Sequence, residues 1–231
     1  MLEEIKQRVL EANLELVKKG LVIYTWGNVS EIDRDKGLVV IKPSGVDYAF
    51  LKADDMVVVS LETGKVVEGG YKPSSDLDTH LELYRKYPQI GGVAHTHSTN
   101  AVAFAQAGMD IPALGTTHAD CFYGDIPCTR ELTKEEVESD YELNTGKVII
   151  EEIEKRGYDV MSIPGIIVKN HGPFSWGSNA DKAVYNAVVL DKVAEIDLKT
   201  LLLNKDAEMK QYILDKHYFG KHGPGASYGQ K

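Results

Sequence analysis

Residues 91–99 read GGVAHTHST, with His95 and His97 one residue apart at the end of a small apolar run. On a strand, side chains at i and i+2 leave the same face about 6.5–7 Å apart, so both imidazoles can address one metal ion. Two ligands do not complete a site, because catalytic Zn2+ typically takes three protein ligands and keeps an open position. His171, in VKNHGP, is the best third candidate, since it stands where an apolar strand meets a Gly-Pro turn. Asp76 offers an oxygen from the start of an expected helix, where a carboxylate equally suits the helix dipole. His80, one turn on, either joins Asp76 at a metal or pairs with it on the helix surface.

Three polar turns suggest a second kind of chemistry. TWGNVS carries Gly27 and Asn28, KPSGVD carries Lys42, Ser44 and Gly45, and KPSSD carries Ser74 and Ser75. Small hydroxyl residues beside glycine, at turns or helix starts, present hydroxyls and backbone N–H groups that suit a phosphate. Each alone is most simply a cap or a turn, and three within the first 80 residues strengthen the phosphate reading. None matches a Walker or Rossmann motif, so no nucleotide is implied. For proton transfer, GTTHAD offers His118 and Asp120, and the C-terminal stretch offers His217 and Tyr228.

These residues need a frame. Residues 2–19 place apolar side chains at helical spacing and end at Gly20. Short β-branched runs follow: LVIYTW, GLVVIK and MVVVSLETGKVVEGG, the last with a hairpin at Thr63-Gly64. SSDLDTHLELYRKYP predicts a helix starting at Ser74 or Ser75 and stopping before Pro88. QIGGVAHTH predicts a strand and STNAVAFAQAG a helix closed by Gly108. Residues 111–147 lack a period and predict loops with short helices. GKVIIEEIEKRG predicts another helix, and GIIVKNHGPFSWG two strands around the His171 turn. An apolar stripe from Ala183 to Leu201 predicts a long helix over 179–206 capped by Asn179, with a shorter one over 208–219. The whole is an α/β chain with a mixed, largely antiparallel central sheet and helices on both faces, one domain over residues 1–231.

Composition narrows the functions. The 231 residues are 43% hydrophobic and 26% charged, as in an ordinary folded protein. A net charge of −9 argues against general binding to nucleic acid, which relies on clustered Lys and Arg. Charges within the first helix argue against a secretion signal, and no uncharged apolar run is long enough for a membrane span. Cys121 and Cys128 are read as reduced thiols, and a cytoplasmic location is expected.

Taken in order, WGNVS, IKPSGVDY, KPSSD, HTHS, GTTHAD, GDIPCTR, LDKHY and YGQ resemble the class II aldolase and adducin-like family over essentially the whole chain. Within it, the pattern resembles the epimerase branch, the bacterial L-ribulose-5-phosphate 4-epimerases. SSD is the discriminating motif, since the fuculose-phosphate aldolases of the family look like SSE there. The resemblance implies Zn2+ held by His95, His97 and His171, with Asp76 at or near the metal. It implies a substrate-holding role, chiefly for phosphate, for Gly27, Asn28, Ser44, Gly45, Ser74 and Ser75. Asp120 and Tyr228 match its acid/base residues, with His217 beside them. It further implies a phosphorylated ketopentose as substrate and a homotetramer with sites between subunits. Gly220 stands where some relatives carry a basic residue.

Overall fold

The computed structural model describes residues 2–223 and 225–227. In chain order the elements are α1 (Leu2–Lys18), β1 (Gly27–Asp33), β2 (Leu38–Ile41), β3 (Val57–Ser60), β4 (Val66–Glu68), α2 (Leu77–Lys86), β5 (Gly92–Thr96) and α3 (Thr99–Ala107). They continue with α4 (Thr116–Ala119), α5 (Lys134–Glu138), α6 (Tyr141–Arg156), β6 (Gly165–Val168), β7 (Gly172–Gly177), α7 (Ala180–Leu203) and α8 (Gln211–Lys221). The strands form one sheet in the order β4-β3-β2-β1-β5-β7-β6. Every pairing of named strands is antiparallel, and the parallel component reduces to an isolated bridge between Cys128 and Ile167.

Period-two alternation divides the strand side chains between two cores. Val39, Ile41, Val57 and Val59 face α2 and α6, where they meet Leu81, Tyr84, Ile149 and Ile153. Val40, Val58, Val29 and Ala94 face α1 and α7, against Val9, Leu16, Ala183 and Ala187. A third cluster joins α3, the later turns of α7 and Ile167. Because helices cover both faces, β2 and β3 read as unbroken β-branched runs, which is how the sequence revealed them.

The hairpin at Thr63-Gly64 forms as expected, with Gly64 in the left-handed region at φ 68°. Asn179 caps α7 by accepting from the Lys182 backbone N–H at 2.8 Å. Both cysteines are free. One expected strand is absent. LVIYTW is a turn, closed by Trp26 N–H donating to the Ile23 carbonyl, with Tyr24 at φ 54°. Ile23, Tyr24 and Trp26 are 58%, 78% and 54% exposed. The strand begins immediately afterwards, as GNVSEID, and all seven of its residues are buried. Two of its polar side chains are fully engaged by partners: Ser30 by His80 and Tyr84, and Glu31 by Arg8 and the Ala180 N–H at the start of α7. Asn13 bonds both the N–H and the carbonyl of Val29.

Beneath Asp120, α4 packs on α7 through a buried polar pair, His118 Nδ1 lying 3.9 Å from Asp197 Oδ2. His118 Nε2–H donates to the Gly124 carbonyl at 2.7 Å, and burial lowers its pKa. Burial, reinforced by Asp125, pushes the Asp197 carboxyl up to about 7. An unfolded Asp titrates near about 3.9, so the folded chain holds the extra proton between those values. Stability therefore falls as pH rises through that window and levels off above it. Asp197→Asn removes the ionisation, and its advantage over the parent should be larger at pH 8 than at pH 5, by roughly 2–3 kcal/mol. Urea midpoints at the two pH values check this, and a gap independent of pH would contradict it.

Candidate active site

β5 is an interior strand of the sheet, between β1 and β7, and brings the first two histidines to its end. His95 pairs with Asn28 on one side and Phe174 on the other, so the three side chains leave the same face. The His95 ring stacks on Phe174 at 4.2 Å between centroids. Its Nδ1–H donates to the Pro173 carbonyl at 2.9 Å, which fixes the tautomer and leaves the Nε2 lone pair free. His97, two residues on, places its Nε2 3.1 Å from that of His95. His171 sits in the turn between β6 and β7, its ring 4.7 Å from that of His95 and 5.2 Å from that of His97. One ligand nitrogen from each of the three lies within 4.8 Å of the others.

The donor set fits a metal. Two nitrogens on a tetrahedral ion with bonds of roughly 2.05 Å are about 3.3 Å apart, close to the His95–His97 separation. The His171 pKa falls to about 3, first through burial and then through the neighbouring His95 and His97. That of His97 is lowered by burial and by His95. Both therefore stand as neutral donors at neutral pH, the form a metal requires.

Asp76 is the N-terminal flanking residue of α2 but makes no capping bond with its side chain. Its Oδ2 accepts instead from Asn28 Nδ2 at 2.7 Å and from Ser74 Oγ at 3.5 Å. Burial alone would raise this carboxyl, yet His95, His80, His171 and the Asn28 bond outweigh it and hold the pKa below the ordinary value. The carboxylate is thus kept ionised beside the histidines. α2 starts at Leu77, so Ser74 and Ser75 belong to the preceding turn rather than to the helix.

One cavity of about 390 Å³ gathers these groups, a volume in the usual range for a small-molecule site. Its wall includes Asp76, His95, His97 and His171. All of the expected phosphate residues line it too: Gly27, Asn28, Lys42, Ser44, Gly45, Ser74 and Ser75. Thr25, Trp26 and Pro43 line it as well, as do Tyr141 and Glu142 at the start of α6, and the Tyr141 hydroxyl lies 3.4 Å from His171 Nδ1. Sequence reasoning missed Tyr141 and Glu142 because residues 111–147 show no period. The Ser139-Asp140 pair, a usual helix-start signal, was the available clue.

Asp120 and His217 stand elsewhere in the chain. Asp120 follows α4, with Oδ1 3.1 Å from His217 Nδ1 and Oδ2 2.8 Å from Lys221 Nζ. Burial would raise its pKa, but the bonds to Lys221 and His217 outweigh burial and lower it. Asp120 opens on a separate cavity with Cys121, Lys182, Tyr185, Lys221 and His222, which shares no wall residue with the histidine pocket. Tyr228 lies outside the described residues.

A seven-stranded antiparallel sheet with helices on both faces and a trio of histidines gathered at the end of an interior strand defines a class, and the comparisons agree. Residues 7–198 match the model of the Class II Aldolase and Adducin N-terminal domain, and the chain belongs to that family. Among individual relatives, it is 58% identical over 231 residues, the full length of both chains, to the L-ribulose-5-phosphate 4-epimerase UlaF of Salmonella paratyphi C (strain RKS4594). The protein of the same name from Salmonella choleraesuis (strain SC-B67) matches equally well. Among solved structures, an L-fuculose 1-phosphate aldolase superposes with a TM-score of 0.77 at 25% identity, covering 93% of this chain and 94% of the other. The fold is shared with the L-fuculose-1-phosphate aldolase from Thermus Thermophilus, with a TM-score of 0.69 at 22% identity, over 89% and 99% of the two chains.

If the histidine trio is the metal centre, His97→Asn and His171→Asn should each reduce bound divalent metal from near one ion per chain to a small fraction of it. Elemental analysis after gel filtration in matched metal measures the loss, and full occupancy in either variant would contradict the ligand set.

Proposed function

We propose that this chain is a zinc-dependent L-ribulose-5-phosphate 4-epimerase, interconverting L-ribulose 5-phosphate and D-xylulose 5-phosphate. The observation that carries the reading is the single cavity in which the histidine trio and Asp76 meet three phosphate-suited turns. Full-length identity of 58% to relatives named for this reaction supports the choice of substrate. In our reading residues 1–231 act as one catalytic domain in the cytoplasm.

The substrate dictates the route. Its ketone is at C2, so the hydrogen on C4 is not α to a carbonyl and is not usefully acidic. The C4 hydroxyl is β to that ketone, however, and the C3–C4 bond can break by a retro-aldol step. Cleavage leaves a dihydroxyacetone enediolate and glycolaldehyde phosphate. Rotation of the aldehyde before the bond re-forms inverts C4. His95, His97 and His171, with Asp76, would hold a zinc ion that supplies Lewis acidity toward negative charge developing on the ketose oxygens. The turns at Gly27–Asn28, Lys42–Gly45 and Ser74–Ser75 retain the phosphorylated fragment, which distinguishes epimerisation from release of two products. Asp120 and Tyr228, with His217 beside them, exchange the proton of the C4 hydroxyl from opposite faces.

Asp120, bonded to His217, opens on a cavity separate from the histidine pocket. We therefore assign the complete site to two copies of the chain in a homotetramer, one giving the metal and phosphate groups and its neighbour the acid/base residues.

A second reading, an aldolase that releases its fragments, is favoured by the superposition with an L-fuculose 1-phosphate aldolase. Asp76, in place of the glutamate of the SSE pattern, weighs against it. Assay of L-ribulose 5-phosphate turnover separates the two: xylulose 5-phosphate with no free glycolaldehyde phosphate is expected, and net release of the aldehyde would overturn the epimerase. A chelator should abolish turnover.

Site sharing has its own test. His97→Asn and Asp120→Asn should each slow turnover by on the order of 10²–10⁴-fold, Asp120→Asn with metal content intact. Co-assembled from mixed chains, the two should recover part of the activity, because some sites combine an intact histidine pocket with an intact Asp120. Mixed assemblies confirmed by mass that stay inactive would contradict the shared site.

A further inference from the structure

The three polar turns are separated in sequence, and a phosphate can use them together only if their mutual positions are held. The second and third are joined by backbone: Ser74 N–H donates to the Lys42 carbonyl and Ser44 N–H to the Lys72 carbonyl, both at 2.9 Å, around an antiparallel bridge between Pro43 and Pro73. The first turn is linked to the second by a side chain. Tyr48, buried among the core residues that face α1, donates its hydroxyl to the Gly27 carbonyl at 2.7 Å. Gly27 itself is tightly confined, since an added Cβ would lie 2.7 Å from Val22 Cγ2 and 2.9 Å from the His95 carbonyl. The same ring lies beneath the Lys42 ammonium, with Nζ 4.6 Å from its centroid. Lys42 Nζ also donates to the carbonyls of Val46 at 2.9 Å and Pro43 at 3.2 Å, which leaves one of its three N–H donors for a ligand.

We propose that Tyr48 is a positioning residue for phosphate binding: its hydroxyl locks the Gly27–Asn28 turn to the Lys42–Gly45 turn, and its ring face holds the Lys42 ammonium in place. Burial lowers the Lys42 pKa to about 8, so a quadrupole that favours the charged form is useful there. Tyr48 does not line the cavity and acts through Gly27 and Lys42. This inference rests on reading the cavity as a sugar-phosphate site.

The test compares the parent enzyme with Tyr48→Phe, which keeps the ring and loses the bond to Gly27, and with Tyr48→Leu, which loses both. Inorganic phosphate is the probe, as a competitive inhibitor of L-ribulose 5-phosphate turnover. Losing one hydrogen bond should raise its inhibition constant roughly three- to tenfold in Tyr48→Phe. KM for L-ribulose 5-phosphate should rise alongside, while zinc content, kcat and the slow turnover of phosphate-free L-ribulose stay near parent values. Tyr48→Leu should weaken phosphate further. A Tyr48→Phe inhibition constant within about 1.5-fold of the parent would overturn the inference alone, even if Tyr48→Leu fails to fold. So would equal losses toward L-ribulose and its phosphate, the mark of a merely structural tyrosine. A parent enzyme indifferent to phosphate would remove the phosphate reading of the cavity, and this inference with it.

Discussion

The site depends on the hydrogen bond between His95 Nδ1–H and the Pro173 carbonyl. It is made across the β5–β7 pairing, between two interior strands of the sheet, where neither strand can shift without disturbing the packing on both faces. With that bond made and Phe174 stacked against the ring, His95 has one orientation and one free lone pair. The same register sets Asn28 beside it on β1, and Asn28 in turn holds Asp76 at the start of α2. A central strand thus determines the placement of groups that come from a helix start, a neighbouring strand and a turn between two further strands. Sites carried on such elements are held more closely than sites carried on loops.

The cost of this arrangement is a polar interior. Burying a polar group without a partner is unfavourable, and β1 buries Asn28, Ser30, Glu31 and Asp33. Most are satisfied locally, Ser30 within a chain that includes His80 and Tyr84, and Glu31 by Arg8 and the Ala180 N–H. Asn28 Oδ1 and His80 Nε2 have no hydrogen-bond partner among the described residues. Asn28 is one of the groups that walls the cavity, and His80 lies one turn from Asp76, so these two unsatisfied atoms sit at or beside the site. Local departures from a well-satisfied core are expected where chemistry is placed.

That polar strand also explains where sequence reasoning stopped. His95 and His97 were legible as a pair because strand periodicity turns a spacing of two into a shared face. Val39–Ile41 and Val57–Val59 were legible because burial on both faces selects β-branched residues at every position. β1 was not legible, because its buried side chains are polar and their partners come from α1, α2 and the start of α7. The neighbouring LVIYTW carries the β-forming residue types, yet Ile23, Tyr24 and Trp26 are exposed and Tyr24 adopts a left-handed backbone. Tyr141 and Glu142 escaped for a related reason: they wall the cavity from a helix start within a stretch whose surroundings show no apolar period. The meeting of the three polar turns is a tertiary event that spacing alone does not encode.

Charge distinguishes the two clusters that the chain keeps apart. Around the histidines, two lowered imidazole pKa values and an ionised Asp76 produce neutral nitrogen donors beside one negative oxygen, an environment with net demand for a cation. Around Asp120 the balance is reversed, since Lys221 supplies a positive charge at 2.8 Å and His217 a further bond, and together they hold the carboxylate in its ionised form. A carboxylate so held accepts a proton more readily than it donates one at neutral pH. In the two-copy site proposed here, Asp120 therefore suits the base side of an exchange at the C4 hydroxyl, and the partner on the opposite face must be a group protonated in the resting enzyme. A tyrosine, with an ordinary pKa of about 10, meets that requirement without any environmental shift.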